Sequence, residues 1–215
     1  MEAGHIFIFS DSQGAEADEL ISFGLIEGSN RIHPGQGTSN RKFYFDNFYL
    51  EILWVSNENE IKSTLTAPTY LWERANYKLN GNSPFGLCLN YSEDTDRLFK
   101  DCLSYKPSYL PAGMAIEVIT NQDSPYLPWT FRWPPISGLK KAEEPTHHRP
   151  ALNELTKIRF GIPLNSYQNK YTNFFGSNEK IVFEAASQHH LALEFDHGRL
   201  GQTKTFSTLP LIIEY

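Results

Sequence analysis

The order of apolar segments repeats along the chain, and this repeat constrains the fold more than any other feature. His5–Phe9 (HIFIF) reads as a short strand closed by Ser10 and Asp11. Ala15, Ala17, Leu20 and Ile21 then recur at helical spacing among Glu16, Asp18 and Glu19. That pattern predicts an amphipathic helix within 15–23, with Asp11 or Ser12 as its cap and Gly24 just past its end. A polar stretch from Glu27 to Arg41 carries Gly28, Pro34, Gly35 and Gly37 and is expected to turn repeatedly. Lys42–Phe45 and Phe48–Val55 follow as strands around an Asp46-Asn47 turn. The same order restarts at Pro84. Phe85–Leu89 (FGLCL) is strand-like, Ser92–Leu103 holds a short helix capped by Ser92, and Gly113–Ile119 and Leu127–Trp133 are strands. What repeats is the order of elements, not the residues themselves.

Beyond the repeat the character changes. Eight of the 13 prolines fall between Pro107 and Pro150, and Trp133–Pro150 reads as a linker or an extended surface crossing, with His147 and His148 exposed. Strands are then expected at Leu155–Ile162, Ile181–Ala185, Leu191–Phe195 and Leu209–Tyr215. A chain of 215 residues with 40% hydrophobic and 20% charged residues buries enough surface to fold without staples. It has no apolar run long enough to span a bilayer, and its net charge of −6 offers no general attraction to nucleic acid. No membrane or nucleic-acid partner is therefore expected. Two cysteines, Cys88 and Cys102, do not form a secreted disulfide framework, and the N-terminus lacks a basic region followed by a long apolar core. The expected location is the cytoplasm. Four Trp, eleven Tyr and fifteen Phe are more rings than a small core needs. They suit either strands or the wall of a pocket.

Several residues stand out chemically. Glu51 lies between Leu50 and Ile52 in an otherwise apolar strand, on the same face as Tyr49, Leu53 and Val55. A carboxylate so placed needs a partner or takes up a proton. The loop Arg31–Arg41 gathers Arg31, His33, Gln36, Asn40 and Arg41, a set suited to a small anionic guest, with a solvated turn as the alternative. Trp54 and Trp72 form one candidate pair for a cavity mouth, and Trp129 and Trp133 another; rings in such positions are more often core or interface packing. His190, Glu194 and Asp196 alternate along one strand, about 6.6 Å per two residues, too far apart to share a metal. Gly-x-Ser-x-Gly and His-Glu-x-x-His motifs are absent, so serine-hydrolase and metalloprotease chemistry have no support.

The first sixty residues resemble the opening module of the vicinal oxygen chelate superfamily, the glyoxalase and bleomycin-resistance group that also includes extradiol dioxygenases. HIFIFSD (His5–Asp11), HPGQGTSNRKFYFDN (His33–Asn47) and YLEILWV (Tyr49–Val55) carry the resemblance, and PFGLCLN (Pro84–Asn90) is similar to the start of that superfamily's second module. The resemblance implies an α+β fold of paired βαβββ modules forming a half-barrel, followed here by a C-terminal β-rich extension. Residues 1–135 then form the paired-module domain (modules 1–60 and 84–135), 136–150 the Pro-rich crossing, and 151–215 a C-terminal α/β extension packed on the first domain. Metal-dependent members take two ligands from each module. The matching positions in the first module are His5 and Glu51, implied as metal ligands and catalytic groups. In the second they fall at Phe85 or Gly86 and near Thr130, so one divalent ion is the implied cofactor with only two of its four ligands present. His5 and Glu51 thus have three readings: metal ligands, a metal-free catalytic or binding pair, or a structural pair. Arg31, His33, Gln36, Asn40, Arg41, Trp54 and Trp72 are the expected substrate-binding residues. The implied function is binding of a small oxygenated or anionic molecule in the half-barrel, with lyase, isomerase or dioxygenase chemistry; the alternative is metal-free small-molecule binding or a resistance-type role without catalysis. A homodimer is the expected assembly.

Overall fold

The computed structural model describes residues 1–134, 143–163 and 169–215. The first module runs β1 (Ala3–Phe9), α1 (Ala17–Phe23), β2 (Arg31–His33), β3 (Thr38–Tyr44) and β4 (Tyr49–Val55). Short helices α2 (Glu58–Ile61), α3 (Leu71–Ala75) and α4 (Tyr77–Asn80) join it to the second module. That module runs β5 (Phe85–Leu89), α5 (Glu93–Leu98), β6 (Leu103–Tyr105), β7 (Ile116–Ile119) and β8 (Trp129–Arg132). These eight strands form one mixed sheet in the order β2-β3-β4-β1-β5-β8-β7-β6. β1 is parallel to β4, β5 is parallel to β8, and β1 meets β5 antiparallel with Ile6 opposite Leu87. Each module is therefore a βαβββ unit, and the pair curls into an open half-barrel.

Period-two alternation divides this sheet chemically. Ile6, Ile8, Leu50, Ile52, Phe85 and Leu87 point to one face and enter the larger core. Their strand neighbours Phe7, Phe9, Leu53, Cys88, Trp129 and Phe131 point to the other face and form a second apolar cluster.

The larger core is closed by a second sheet. Its strands are β9 (Leu155–Pro163), β10 (Ile181–Ala186), β11 (His190–Phe195), β12 (Thr203–Thr205) and β13 (Leu211–Glu214), with α6 (Lys170–Phe174) between β9 and β10. The strand order is β10-β9-β11-β13-β12, with neighbours parallel, antiparallel, parallel and antiparallel in turn. The same order and the same senses occur in β4-β1-β5-β8-β7 of the first sheet. The C-terminal segment thus repeats the central five strands of the half-barrel in chain order, with no counterparts of β2, β3 and β6 among the described residues. Its Ile158, Phe160, Phe183, Leu191 and Leu211 share one core with the first sheet, and Phe85 meets Phe160 at a ring separation of 5.7 Å.

Three sequence expectations change, and the unassigned stretch 58–80 gains structure. The polar stretch 27–41 is not a continuous loop: Arg31–His33 and the start of β3 form a hairpin, because polar side chains are tolerated on strands that border a polar cavity. Helix α5 ends at Leu98, and Leu103–Tyr105 is an edge strand. Residues 58–80 are helical turns, too short for a sustained period to show. His148 is half-buried: Nδ1 accepts the Ile26 N–H at 3.0 Å, Nε2 lies 2.8 Å from the Tyr44 carbonyl, and the ring packs edge-on against Phe45. The expected Pro-rich crossing at 136–150 lies partly outside the described residues; its described end also docks through Glu144, which accepts the Ser29 N–H at 2.9 Å.

Candidate functional site

The inner face of the half-barrel encloses a cavity of about 70 Å³. Cross-strand register fixes what each strand contributes. One row across the sheet reads Lys42, Glu51, Phe7, Gly86, Trp129 on β3, β4, β1, β5 and β8. The next reads Tyr44, Tyr49, His5, Cys88, Phe131. A third begins Arg31, Asn40, Leu53, Phe9. The first module thus supplies most of the polar groups and the second most of the apolar wall.

Glu51 is buried, and Asn40 Nδ2 donates to its Oε1 at 2.5 Å. Asn40 is held in turn by the Arg31 backbone N–H, which donates to its Oδ1 at 2.7 Å. The other Glu51 oxygen lies 3.6 Å from His5 Nε2. This contact is not an ion pair: burial, then the charge of Lys42 and proximity to His33, hold the His5 pKa down at about 3. The imidazole is neutral near pH 7, stacked on Tyr49 at 4.2 Å and met edge-on by Phe131 at 5.0 Å. Burial raises the Glu51 carboxyl above its usual range, partly offset by the Asn40 hydrogen bond and by Lys42 and Arg31. The result is a carboxyl of enhanced proton affinity beside a neutral imidazole, an arrangement suited to accepting or donating a proton.

Two cations face the same space. Lys42 is half-buried, with Nζ 5.3 Å from the centre of the Tyr44 ring. Arg31 stands exposed at the mouth, its guanidinium 5.0 Å from the Tyr109 ring centre. Among the described residues neither forms an ion pair with a carboxylate, whereas Arg41, one position from Lys42, is paired with both Glu27 and Asp18. On the apolar side Trp133 lines the cavity, and its buried indole N–H has no hydrogen-bond partner among the described residues.

A strap from the second module crosses the mouth. The Ser108 hydroxyl donates to the Pro34 carbonyl at 2.8 Å, and the Tyr109 hydroxyl donates to Gln36 Oε1 at 2.9 Å. Gln36 Nε2 donates to the Thr38 hydroxyl, which is 2.9 Å from His33 Nδ1. Burial, Arg31 and Lys42 keep the His33 pKa at about 4, so this imidazole is also neutral near pH 7.

Of the residues expected from sequence, His5, Glu51, Arg31, His33, Gln36 and Asn40 line the cavity. Arg41, Trp54 and Trp72 do not. Arg41 follows Asn40 on β3 and so points to the opposite face, toward α1. Trp54 alternates away from Leu53 and lies against Gly14, where a Cβ would come within 2.6 Å of its ring. Trp72 sits on α3, with Lys62 3.8 Å above its ring centre. Trp129 and Trp133 are the pair that reaches the cavity. Lys42 and Tyr109 were missed. Lys42 was detectable, since it lies two residues beyond Asn40 on the same strand, whereas Tyr109 arrives from a distant loop.

The second-module counterparts follow from register. The rotation that exchanges Ile6 with Leu87 carries His5 onto Gly86. Since His5 pairs with Tyr49 and Gly86 with Trp129, it carries Glu51 onto Phe131 rather than the expected Thr130. Thr130 faces away and meets the Tyr171 hydroxyl at 2.5 Å. Gly86 and Phe131 bear no donor, and a Cβ on Gly86 would lie 2.0 Å from the Phe7 ring that covers it. Cys88 also faces inward, but burial pushes its thiol pKa far up. Among the described residues no group of three or more His, Cys, Asp or Glu is placed to hold a metal ion, so the donors present do not assemble a four-ligand centre.

No protein-family model matches the sequence, and no curated protein is significantly similar to it. Solved structures are similar in fold. A hypothetical protein from Staphylococcus aureus superposes with a TM-score of 0.55 at 13% identity, covering 98% of this chain and 97% of that one. A hypothetical protein, BH1468, from Bacillus halodurans C-125 matches with a TM-score of 0.39 at 11% identity, over 66% of this chain and 97% of that one. Among the described residues, no helix is long and apolar enough to cross a membrane.

Proposed function

We propose that this chain is a vicinal-oxygen-chelate-like protein that binds a small oxygenated anion in its half-barrel and moves a proton on it through Glu51. The observation that carries the reading is the pair of cations, Lys42 and Arg31, which face the cavity and, among the described residues, form no ion pair with a carboxylate. Positive charge gathered at a concave site lowers the cost of desolvating an anion and steers it inward. Glu51 is the acid–base group: Asn40 holds one of its oxygens, and the other faces the neutral His5. A proton taken from a carbon beside the bound oxyanion leaves negative charge that Lys42 and Arg31 stabilise. Returning that proton to the same or a neighbouring carbon is isomerase-type chemistry and needs no further reactant.

Calorimetric titration with acetate and with other small carboxylates tests the binding. Lys42→Met is expected to weaken binding about tenfold, the worth of one charge-assisted hydrogen bond, and added salt to weaken it further. Unchanged affinity in both Lys42→Met and Arg31→Gln overturns the reading. Glu51→Gln is expected to retain binding while abolishing exchange of ligand C–H protons with deuterated solvent, followed by proton NMR. Exchange at the unaltered rate removes Glu51 from the chemistry.

A further inference from the structure

We infer that the ligand of this cavity is a monocarboxylate, or a comparable oxyanion, bearing a compact flat apolar body. The inference rests on the preceding reading for its anionic end and adds the opposite end. Along the row Lys42, Glu51, Phe7, Gly86, Trp129 the chemistry changes once, from charged to aromatic, at the boundary between β4 and β1.

The aromatic part is a preassembled wall. Phe7 and Phe131 have ring centres 6.0 Å apart, Trp129 and Phe131 4.8 Å, and Phe7 and Trp129 5.8 Å. Gly86 makes the wall possible, because any side chain there would displace the Phe7 ring. Leu53, Leu71 and Ile116 complete an apolar end. The two positions where the second module would present polar donors, Gly86 and Phe131, instead give a bare backbone and a ring. A doubly charged or polyhydroxylated guest would leave polar groups unpaired against this wall. A flat apolar body stacks on it and gains from leaving water. The cavity of about 70 Å³ has room for roughly two to three waters, so it seats the edge of a small ring or a short branched chain rather than a large body. The acid group then remains near Arg31 at the mouth. Glu51 falls between the two ends, facing the atoms that join acid to body.

The test is a titration of the unaltered protein with benzoate, acetate and benzyl alcohol, read by calorimetry or ligand-observed NMR. Benzoate is expected to bind at least about tenfold more tightly than either of the other two, since each lacks one end. Equal affinity for acetate and benzoate overturns the apolar half of the inference and leaves the anion reading standing. Equal affinity for benzyl alcohol and benzoate overturns the anionic end, and absence of binding by all three overturns both. Phe131→Asn, checked for folding by circular dichroism, is expected to bring benzoate down to the affinity of acetate. Retention of the benzoate preference in that variant removes the ring wall as its source.

Discussion

Single side chains in the cavity couple its chemistry to pH. His33 is neutral in the folded chain because burial, Arg31 and Lys42 depress its pKa to about 4, against roughly 6.5 in the unfolded chain. In the window between those values the unfolded chain binds the extra proton. The neutral His33 therefore leaves stability intact above pH 6.5 and costs stability as pH falls toward 4. His5 acts in the same direction, down to about 3. Glu51 acts in the opposite direction: its raised carboxyl pKa favours the folded state as pH falls. Urea denaturation at a series of pH values is expected to show stability dropping from pH 7 to pH 4. His33→Gln is expected to remove about 3 kcal/mol of that drop, and an identical pH slope in the variant would show that His33 is not the group responsible. At this scale the sequence was informative wherever alternation decides a side chain's direction. Glu51 was legible because it sits within an apolar strand, and His5 through the family resemblance. The burial that makes His33 neutral was not, since it depends on Tyr109, 76 positions further along the chain.

Elements are held in place by groups that no local pattern reveals. Arg74 on α3 is the clearest case. It is fully buried, and its guanidinium donates to the main-chain carbonyls of Pro125, Leu127 and Thr120 rather than to a carboxylate. Burial accordingly lowers its pKa to about 10. A single planar fork thereby fixes the β7–β8 connection against the helices that join the modules, and Trp129 Nε1 donates to the Thr69 carbonyl beside it at 2.8 Å. Arg74→Met leaves those carbonyls unpaired and is expected to cost about 3 kcal/mol in chemical denaturation. Arg74→Lys is expected to recover only part of this, because an ammonium cannot span the same carbonyls; full recovery would show that charge alone suffices. Strands β1, β4, β5, β7 and β8 were legible from their apolar runs, whereas the polar β2 and the short β6 were not. Helices α2, α3 and α4 have four or five residues each, too few to display a helical period, so their form is set by contacts made after folding.

The whole molecule is two sheets with the same central strand order, sharing one core. Ile6, Leu50 and Phe85 from the half-barrel enter the same cluster as Phe160, Phe183 and Leu211 from the C-terminal sheet. The face of the half-barrel away from the cavity is thereby covered, leaving the inner face for a ligand. Phe160→Ala is expected to cost about 3–5 kcal/mol and to destabilise both sheets in one transition, with tryptophan fluorescence and far-UV circular dichroism melting together. Two separated transitions would show that the sheets fold independently. By itself, the sequence determined the alternation of the apolar strands, the recurrence of the module and the buried carboxylate Glu51, because these depend on residues a few positions apart, while His5 was indicated by the family resemblance. Only the tertiary structure decided that Lys42 and Arg31 face the cavity with no ion pair to a carboxylate among the described residues, that Phe7 lies over Gly86, and that the C-terminal strands copy the central five of the half-barrel. Each of these is a contact or pairing between distant segments, and strand pairing across a sheet is set by register and burial rather than by local propensity.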